Sequence, residues 1–344
     1  MTKTLLPDDF FESIYYNATK QTVCTSFEDR RRFVSEGLCR LLGDYSQEMT
    51  DLPLEKPVVL ETVEYNDYIR ERVIYKTAKD LYSSMYVLTP KDVRGRYSAV
   101  LALHGHGYGN KEIVGLTEKG EDDNQPPGIH QHFAIQLVRR GLKVFAPEII
   151  GFGDRLLSID NEQGKPSSCD LMARSLLMAG KTLAGLRVAE AIRTLDIMET
   201  YPDVIKENVG IMGFSGGGQI AAYTSALDTR LKVTVLCGFT NTFKGSILSI
   251  RHCVDNYVPE LLNVAELPEL IGLIAPRSLF VESGRNDNIF PVNHFEAAVT
   301  FLQHTYEKVG ASNAFNYDLF DGGHEISGRK SYDWLKKRLT DLNK

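Results

Sequence analysis

The chain has 344 residues, enough for one large α/β domain or two small ones. Its composition, 43% hydrophobic and 24% charged, is that of an ordinary folded protein, and a net charge of −6 offers no basic surface for nucleic acid. Five cysteines (Cys24, Cys39, Cys169, Cys237 and Cys253) are scattered without a C-x-x-C pair, which argues against structural zinc and against a disulfide framework. No apolar run approaches the length of a membrane span, and the first ten residues lack the apolar stretch of a secretory signal. These features lead us to expect a cytoplasmic enzyme with free thiols that engages neither membrane nor nucleic acid.

Residues 8–50 read as helical, with Phe33, Leu38, Leu41 and Leu42 on one face. Residues 1–55 are therefore expected to form a helical extension that packs on the core or on a second subunit, as in a homodimer. Three β-rich runs follow at 58–65, 71–75 and 84–88, divided by Asn66-Asp67 and Lys79-Asp80, as in an antiparallel sheet edge. From Tyr97 the pattern alternates, which is the sign of a parallel sheet with crossover helices. Strands are expected at 98–103, 142–147, 209–212, 231–237, 277–282 and 315–320, and helices at 131–140, 181–200, 294–309 and 330–342. Residues 56–344 thus form the main α/β domain. Two segments break the alternation. The loop at 111–128, with Glu121-Asp122-Asp123, reads as a solvated loop, and the long connection at about 239–272 reads as a cap over the sheet end.

The chain is organised around Gly213-x-Ser215-x-Gly217. An apolar run, Val209–Met212, enters this stretch, and Gln219-Ile220-Ala221-Ala222-Tyr223 leaves it with helical character. Such a strand–turn–helix context is that of a nucleophile elbow, where flanking side chains would clash with strand and helix. A serine hydroxyl needs a base within reach, and the base needs a carboxylate to hold its tautomer. In chain order, Asp287 follows a strand in the polar turn Gly284-Arg285-Asn286-Asp287, and His324 sits in Asp321-Gly322-Gly323-His324 after the last strand. Glu282 falls inside its strand. Asp321, the rival acid, is assigned to its own turn.

The oxyanion of an acyl-transfer intermediate needs two N–H donors. Gly216 supplies one, and the loop Leu103-His104-Gly105-His106-Gly107-Tyr108-Gly109 supplies the other, through His106 or alternatively Gly107. This loop does not carry the G-x-G-x-x-G spacing of a dinucleotide site, because Asn110 stands at the third glycine position. His104 and His106 with His130 and His132 have no evident carboxylate or cysteine set beside them, so neither a metal nor a cofactor is expected.

With these motifs in order, the chain resembles the serine α/β-hydrolases, and more narrowly the acetyl xylan esterase-like branch related to dienelactone hydrolase. Four further stretches carry the resemblance: Pro147–Arg155, Gly180–Arg187, His252–Pro259 and Ala275-Pro276-Arg277. It covers roughly residues 55 to 340. The resemblance implies an α/β-hydrolase fold, with a mostly parallel central sheet flanked by helices. It also implies a cofactor-free ester hydrolase, with acetylated carbohydrates among family substrates. The reaction expected is acyl transfer to Ser215, with His324 as base and Asp287 orienting it, on a small-molecule ester. Tyr108, Phe214, Phe243, His252 and Tyr257 are the candidate pocket residues, with Ile247 and Leu248 beside them in the cap. An amidase or peptidase would use the same three residues, and a non-catalytic ligand receptor on this fold would be expected to have lost one.

Overall fold

A computed structural model describes residues 5–20, 24–91 and 95–342. Among them one sheet holds nine strands: β1 (Val58–Glu64), β2 (Tyr68–Ala78), β3 (Leu81–Pro90), β4 (Tyr97–Leu103), β5 (Lys143–Pro147), β6 (Val204–Phe214), β7 (Leu231–Cys237), β8 (Ser278–Gly284) and β9 (Phe315–Phe320). Their order is β1-β2-β3-β5-β4-β6-β7-β8-β9. The pairs β1–β2, β2–β3 and β3–β5 are antiparallel and the rest parallel. β2 and β3 run well past the expected 71–75 and 84–88. Pairing from Tyr68 with Pro90 to Ala78 with Leu81, interrupted by a register shift between Lys76 and Ala78, carries Arg70, Arg72 and Lys76 into the strand despite their polarity.

The helices of six residues or more are α1 (Asp8–Ala18), α2 (Phe27–Leu42), α3 (Phe133–Val138), α4 (Cys169–Met178), α5 (Leu183–Met198), α6 (Gly216–Leu227), α7 (Leu267–Gly272), α8 (Val292–Lys308) and α9 (Ser331–Asp341). They cover both faces of the sheet, and the strands read accordingly. Along β4, Ala99, Leu101 and Leu103 face a core built with α2, α5, α6, α7 and α8. Val100 and Ala102 face a second core built with α3 and α9. This alternation within an all-apolar strand is what a sheet buried on both sides requires.

The expected helical segment at 8–50 divides into α1, α2 and a short turn at Ser46–Met49, and its residues 21–23 lie outside the described residues. α2 starts at Ser26, whose side chain accepts from Asp29 N, and it sends Val34, Leu38 and Leu42 into the larger core. Arg30 holds Glu269 and the Val264 carbonyl, and Arg31 holds the carbonyls of Gly272, Leu273 and Ala275. The segment is thereby tied to the end of the 239–272 connection within the same chain. The loop at 111–128 is largely exposed from 118 onward, with Glu121 and Asp122 at the surface as expected of a solvated loop, but it is not solvated throughout. Its first part buries Ile113, Val114 and Leu116, and Asp122 accepts from Tyr65 and Arg70. No helix among the described residues is long and apolar enough to cross a membrane.

Chain order β4, β5, then β6 on the far side of β4 makes a topological switch, and the crevice beyond the carboxyl ends of such strands is where open α/β sheets place ligands. Ser215 directly follows β6 there.

Candidate active site

The turn at Ser215 is set by close packing. Ser215 itself has φ 54° and ψ −118°, a conformation that costs of order 1–3 kcal/mol and is held here by its surroundings. A Cβ on Gly213 would stand 2.1 Å from the Gly217 carbonyl oxygen, and one on Gly217 would stand 2.2 Å from that of Leu103. Both positions must lack side chains for β6, α6 and the end of β4 to meet. Ser215 N donates to the Cys237 carbonyl at 2.9 Å, which fixes the turn to β7.

The structure brings Ser215, His324 and Asp287 together. Ser215 Oγ lies 3.0 Å from His324 Nε2, and His324 Nδ1 lies 2.8 Å from Asp287 Oδ2. The tautomer that satisfies both contacts has Nδ1–H donating to the carboxylate and Nε2 accepting from the serine hydroxyl. Asp287 is buried at 4% exposure, and its Oδ1 accepts from Ile289 N at 2.8 Å and Phe290 N at 2.9 Å. Burial alone would raise its pKa. The hydrogen bond and charge of His324 and the two backbone donors outweigh burial and hold the carboxyl below its usual range. Phe290 stacks on the imidazole with centroids 5.5 Å apart, and Phe214 packs at 4.9 Å, so the ring is clamped between aromatics. Glu282 lies within β8, with its Oε1 accepting from Ser327 N and Gly328 N. Asp321 accepts from Asn286 Nδ2. Neither touches His324 through a hydrogen bond.

The loop after β4 lies across the elbow. A Cβ on Gly216 would stand 3.2 Å from His106 Nδ1, so His106 and Gly216 are neighbours, whereas Gly107 faces Glu112. Gly105 N donates to His130 Nε2, and Tyr108 N to Glu112 Oε2. Among the described residues, the backbone N–H groups of Gly216 and His106 donate to no protein acceptor. The four histidines named in the sequence do not converge. His104 binds Gly105 O and Ile149 N, His130 contacts Glu112, and His132 contacts Asp123. His106 alone acquires a carboxylate and thiol set, unlike the expectation from sequence: its imidazole, Cys169, Cys253 and Asp255 present atoms within 4.8 Å of one another.

A cavity of about 300 Å³ opens at the serine, lined by His106, Ile129, Phe214, Ser215, Ile250, Arg251, His252, Cys253, Ile289 and His324. Phe214 and His252 stand where the sequence suggested. Tyr108, Phe243 and Tyr257 do not line it. Tyr108 Oη donates to Leu116 O, Phe243 is buried in the larger core, and Tyr257 Oη donates to Ile247 O. Ile247 is buried in that core too, while Leu248 is exposed. Ile250, Arg251 and Cys253 were missed because the cap has little regular structure, so no periodicity marks its inner face. Burial lowers the pKa of His252, which favours a neutral ring at the pocket wall.

These features agree with known proteins at the level of family and fold. The Bacillus subtilis (strain 168) protein YtaP, which carries a hydrolase name, is 29% identical over 299 residues, covering 83% of this chain and 91% of its own. A Bacteroides fragilis NCTC 9343 structure named for acetyl xylan esterase (BF1801) superposes with a TM-score of 0.79 at 16% identity, covering 98% of this chain and 95% of that one. The glucuronoyl esterase from Solibacter usitatus gives a TM-score of 0.63 at 14% identity, covering 91% and 92%. The family model described as "Abhydrolase family" matches residues 14–318, nearly the whole chain. With a mostly parallel sheet flanked by helices and a nucleophile-elbow turn at its centre, the chain is a member of the Abhydrolase family and has the α/β-hydrolase fold.

Proposed function

We propose that this protein is a serine carboxylic-ester hydrolase acting on short acyl esters, acetyl esters of carbohydrates among them. The observation that carries this reading is the unbroken line of contacts from Ser215 Oγ through His324 to Asp287, at 3.0 and 2.8 Å. In the first step Ser215 Oγ attacks the ester carbonyl as His324 Nε2 takes its proton. The Asp287 carboxylate, kept ionised by its donors, stabilises the imidazolium that forms. The tetrahedral oxyanion is received by the unengaged N–H groups of Gly216 and His106. His324 then protonates the leaving alkoxide, and a water activated in the same way releases the acid.

The cavity supports a small substrate. At about 300 Å³ it lies at the lower end of ligand-pocket sizes. Ile129, Ile250, Ile289 and Phe214 provide apolar walls suited to a short acyl group, while Arg251 and His252 offer polar atoms to an oxygen-rich alcohol. The esterase names of the acetyl xylan and glucuronoyl relatives point the same way. Five unpaired cysteines fit a reducing compartment such as the cytoplasm.

Hydrolysis of p-nitrophenyl esters from acetate to octanoate, with Ser215→Ala as control, tests the reading. A steep preference for acetate that disappears in the variant, with a rate loss of about 10⁶, is expected. Preference for longer chains would discard the acetyl assignment. Turnover confined to anilides would convert the reading to an amidase, and no Ser215-dependent turnover at all would favour a ligand receptor.

A further inference from the structure

Behind the pocket wall lies a second cluster that the acyl-transfer steps do not use. Cys169 is the first residue of α4 and is buried at 1% exposure. Cys253 belongs to the cap, is half-buried and lines the serine cavity. Beneath them Arg187 of α5 donates through Nη1 to Asp255 Oδ2 at 2.5 Å and through Nη2 to Cys169 Sγ at 3.1 Å. Cys169 Sγ also lies 3.6 Å from Asp255 Oδ2, and His106 Nε2 lies 3.4 Å from the same oxygen.

Two thiols, an imidazole and a carboxylate form a donor set of the kind that binds zinc. The guanidinium argues against it. A fully buried positive charge already bonds two of the four donor atoms, and a divalent cation would have to sit beside it in a low-dielectric site. What the guanidinium favours instead is an anion on sulfur. Cys169 has the Arg187 charge on one side and the helix N-terminus of α4 beneath it, both of which stabilise thiolate. The neighbouring Cys253 thiol, the Arg187 charge and His106 together outweigh burial and the opposing charge of Asp255 and hold Cys169 below the usual thiol range, while the same sharing raises Cys253.

We propose that Cys169 and Cys253 are a redox-active pair that hydrogen peroxide converts to a disulfide, joining the cap to α4 at the wall of the serine cavity. Peroxide enters by the cavity and meets Cys253. As the Cys253 sulfur attacks, Cys169 takes its proton; the S–O bond forms, the O–O bond breaks and hydroxide departs. That hydroxide removes the proton from Cys169 and becomes water. The Cys169 thiolate then attacks the sulfenic sulfur of Cys253, forming S–S and expelling the second oxygen, which leaves as water once protonated. Both sulfurs are oxidised by one electron each, and one peroxide is reduced to two waters. The sulfurs lie within 4.8 Å of each other and must close to about 2.05 Å, a movement the less buried Cys253 can make.

The test uses the full chain treated with hydrogen peroxide, quenched by alkylation and mapped by mass spectrometry without reduction. The result expected is a Cys169–Cys253 linked peptide that appears before any change at Cys24, Cys39 or Cys237, reverses with dithiothreitol, and is absent from Cys253→Ser. In Cys169→Ser, Cys253 loses both its base and its partner, so it should oxidise more slowly than in the wild type, and what does react should stop at the sulfenic acid, trapped by dimedone. Retention of both thiols in the wild type while exposed Cys39 reacts would overturn the proposal. So would zinc that is retained through gel filtration and shields both sulfurs from alkylation.

Discussion

Two buried aspartates flank the serine cavity and have been put to different uses. Asp287 is held by three N–H donors, two from backbone and one from the His324 ring. Asp255 is held chiefly by a guanidinium that is always charged, at 2.5 Å, with Asn256 Nδ2 donating to its other oxygen and the His106 ring farther off at 3.4 Å. Burial would raise both carboxyls, and in both the partners win, so both sit below the usual carboxylate range. The difference lies in the partner. In the proposed reaction the His324 imidazole gains and loses a proton, so Asp287 would face a charge that comes and goes. Arg187 cannot, so Asp255 is locked into an ion pair that ties α5 to the cap. On the proposed mechanism one carboxylate serves the chemistry, while the other holds the wall of the cavity.

Substitutions should separate the two roles. Asp287→Asn keeps the shape but reverses the preferred tautomer of His324, and kcat for a short ester should fall about 10⁴-fold with little change in the urea midpoint. Asp255→Asn should do the opposite. It removes the carboxylate that bonds Arg187 Nη1 and leaves the buried guanidinium with the Cys169 sulfur, and such breakage costs about 3–5 kcal/mol, read as a clear drop in the urea midpoint. A variant that loses activity but no stability at Asp255 would erase the comparison.

The pH dependence of that stability difference sharpens it. Because the folded pKa of Asp255 is depressed, its contribution is fully present above the unfolded carboxylate value of about 3.9 and is lost as pH falls through the folded value. The gap in urea midpoint between wild type and Asp255→Asn should therefore be wide at neutral pH and close in acid. A gap that stayed constant down to strongly acidic pH would mean the variant acts through packing rather than charge. The smallest effect is expected at Tyr257→Phe. It removes one hydrogen bond to Ile247 O, worth about 0.5–1.5 kcal/mol, and should leave acyl-chain preference unchanged because the residue lies off the cavity.

Much of this molecule was legible from local pattern. The glycines around Ser215, the polar turn before Asp287 and the glycine loop before His324 each follow a strand, and parallel strands deliver their carboxyl ends to one edge of the sheet. Once the alternation of strands and helices is recognised, three residues far apart in the chain are bound to meet. Two of the stretches that carried the family resemblance, Gly180–Arg187 and His252–Pro259, proved to hold the two ends of one ion pair, Arg187 and Asp255. Nothing in either stretch announced the other.

What the sequence determined by itself was the order of the sheet elements and the strand-end positions of Ser215, Asp287 and His324, because those depend on short-range periodicity and turn chemistry. What only the tertiary structure decided was the inner face of the cap and the cluster behind it. Residues 239–272 contain short helical turns without a repeating apolar face, so whether Phe243 or Ile250 reaches the cavity depends on how the segment packs against α2, α4 and α5. The thiols of Cys169 and Cys253 likewise meet only because a helix start and a cap turn are both drawn to one buried guanidinium. Such long-range pairing of charge leaves no period in a sequence.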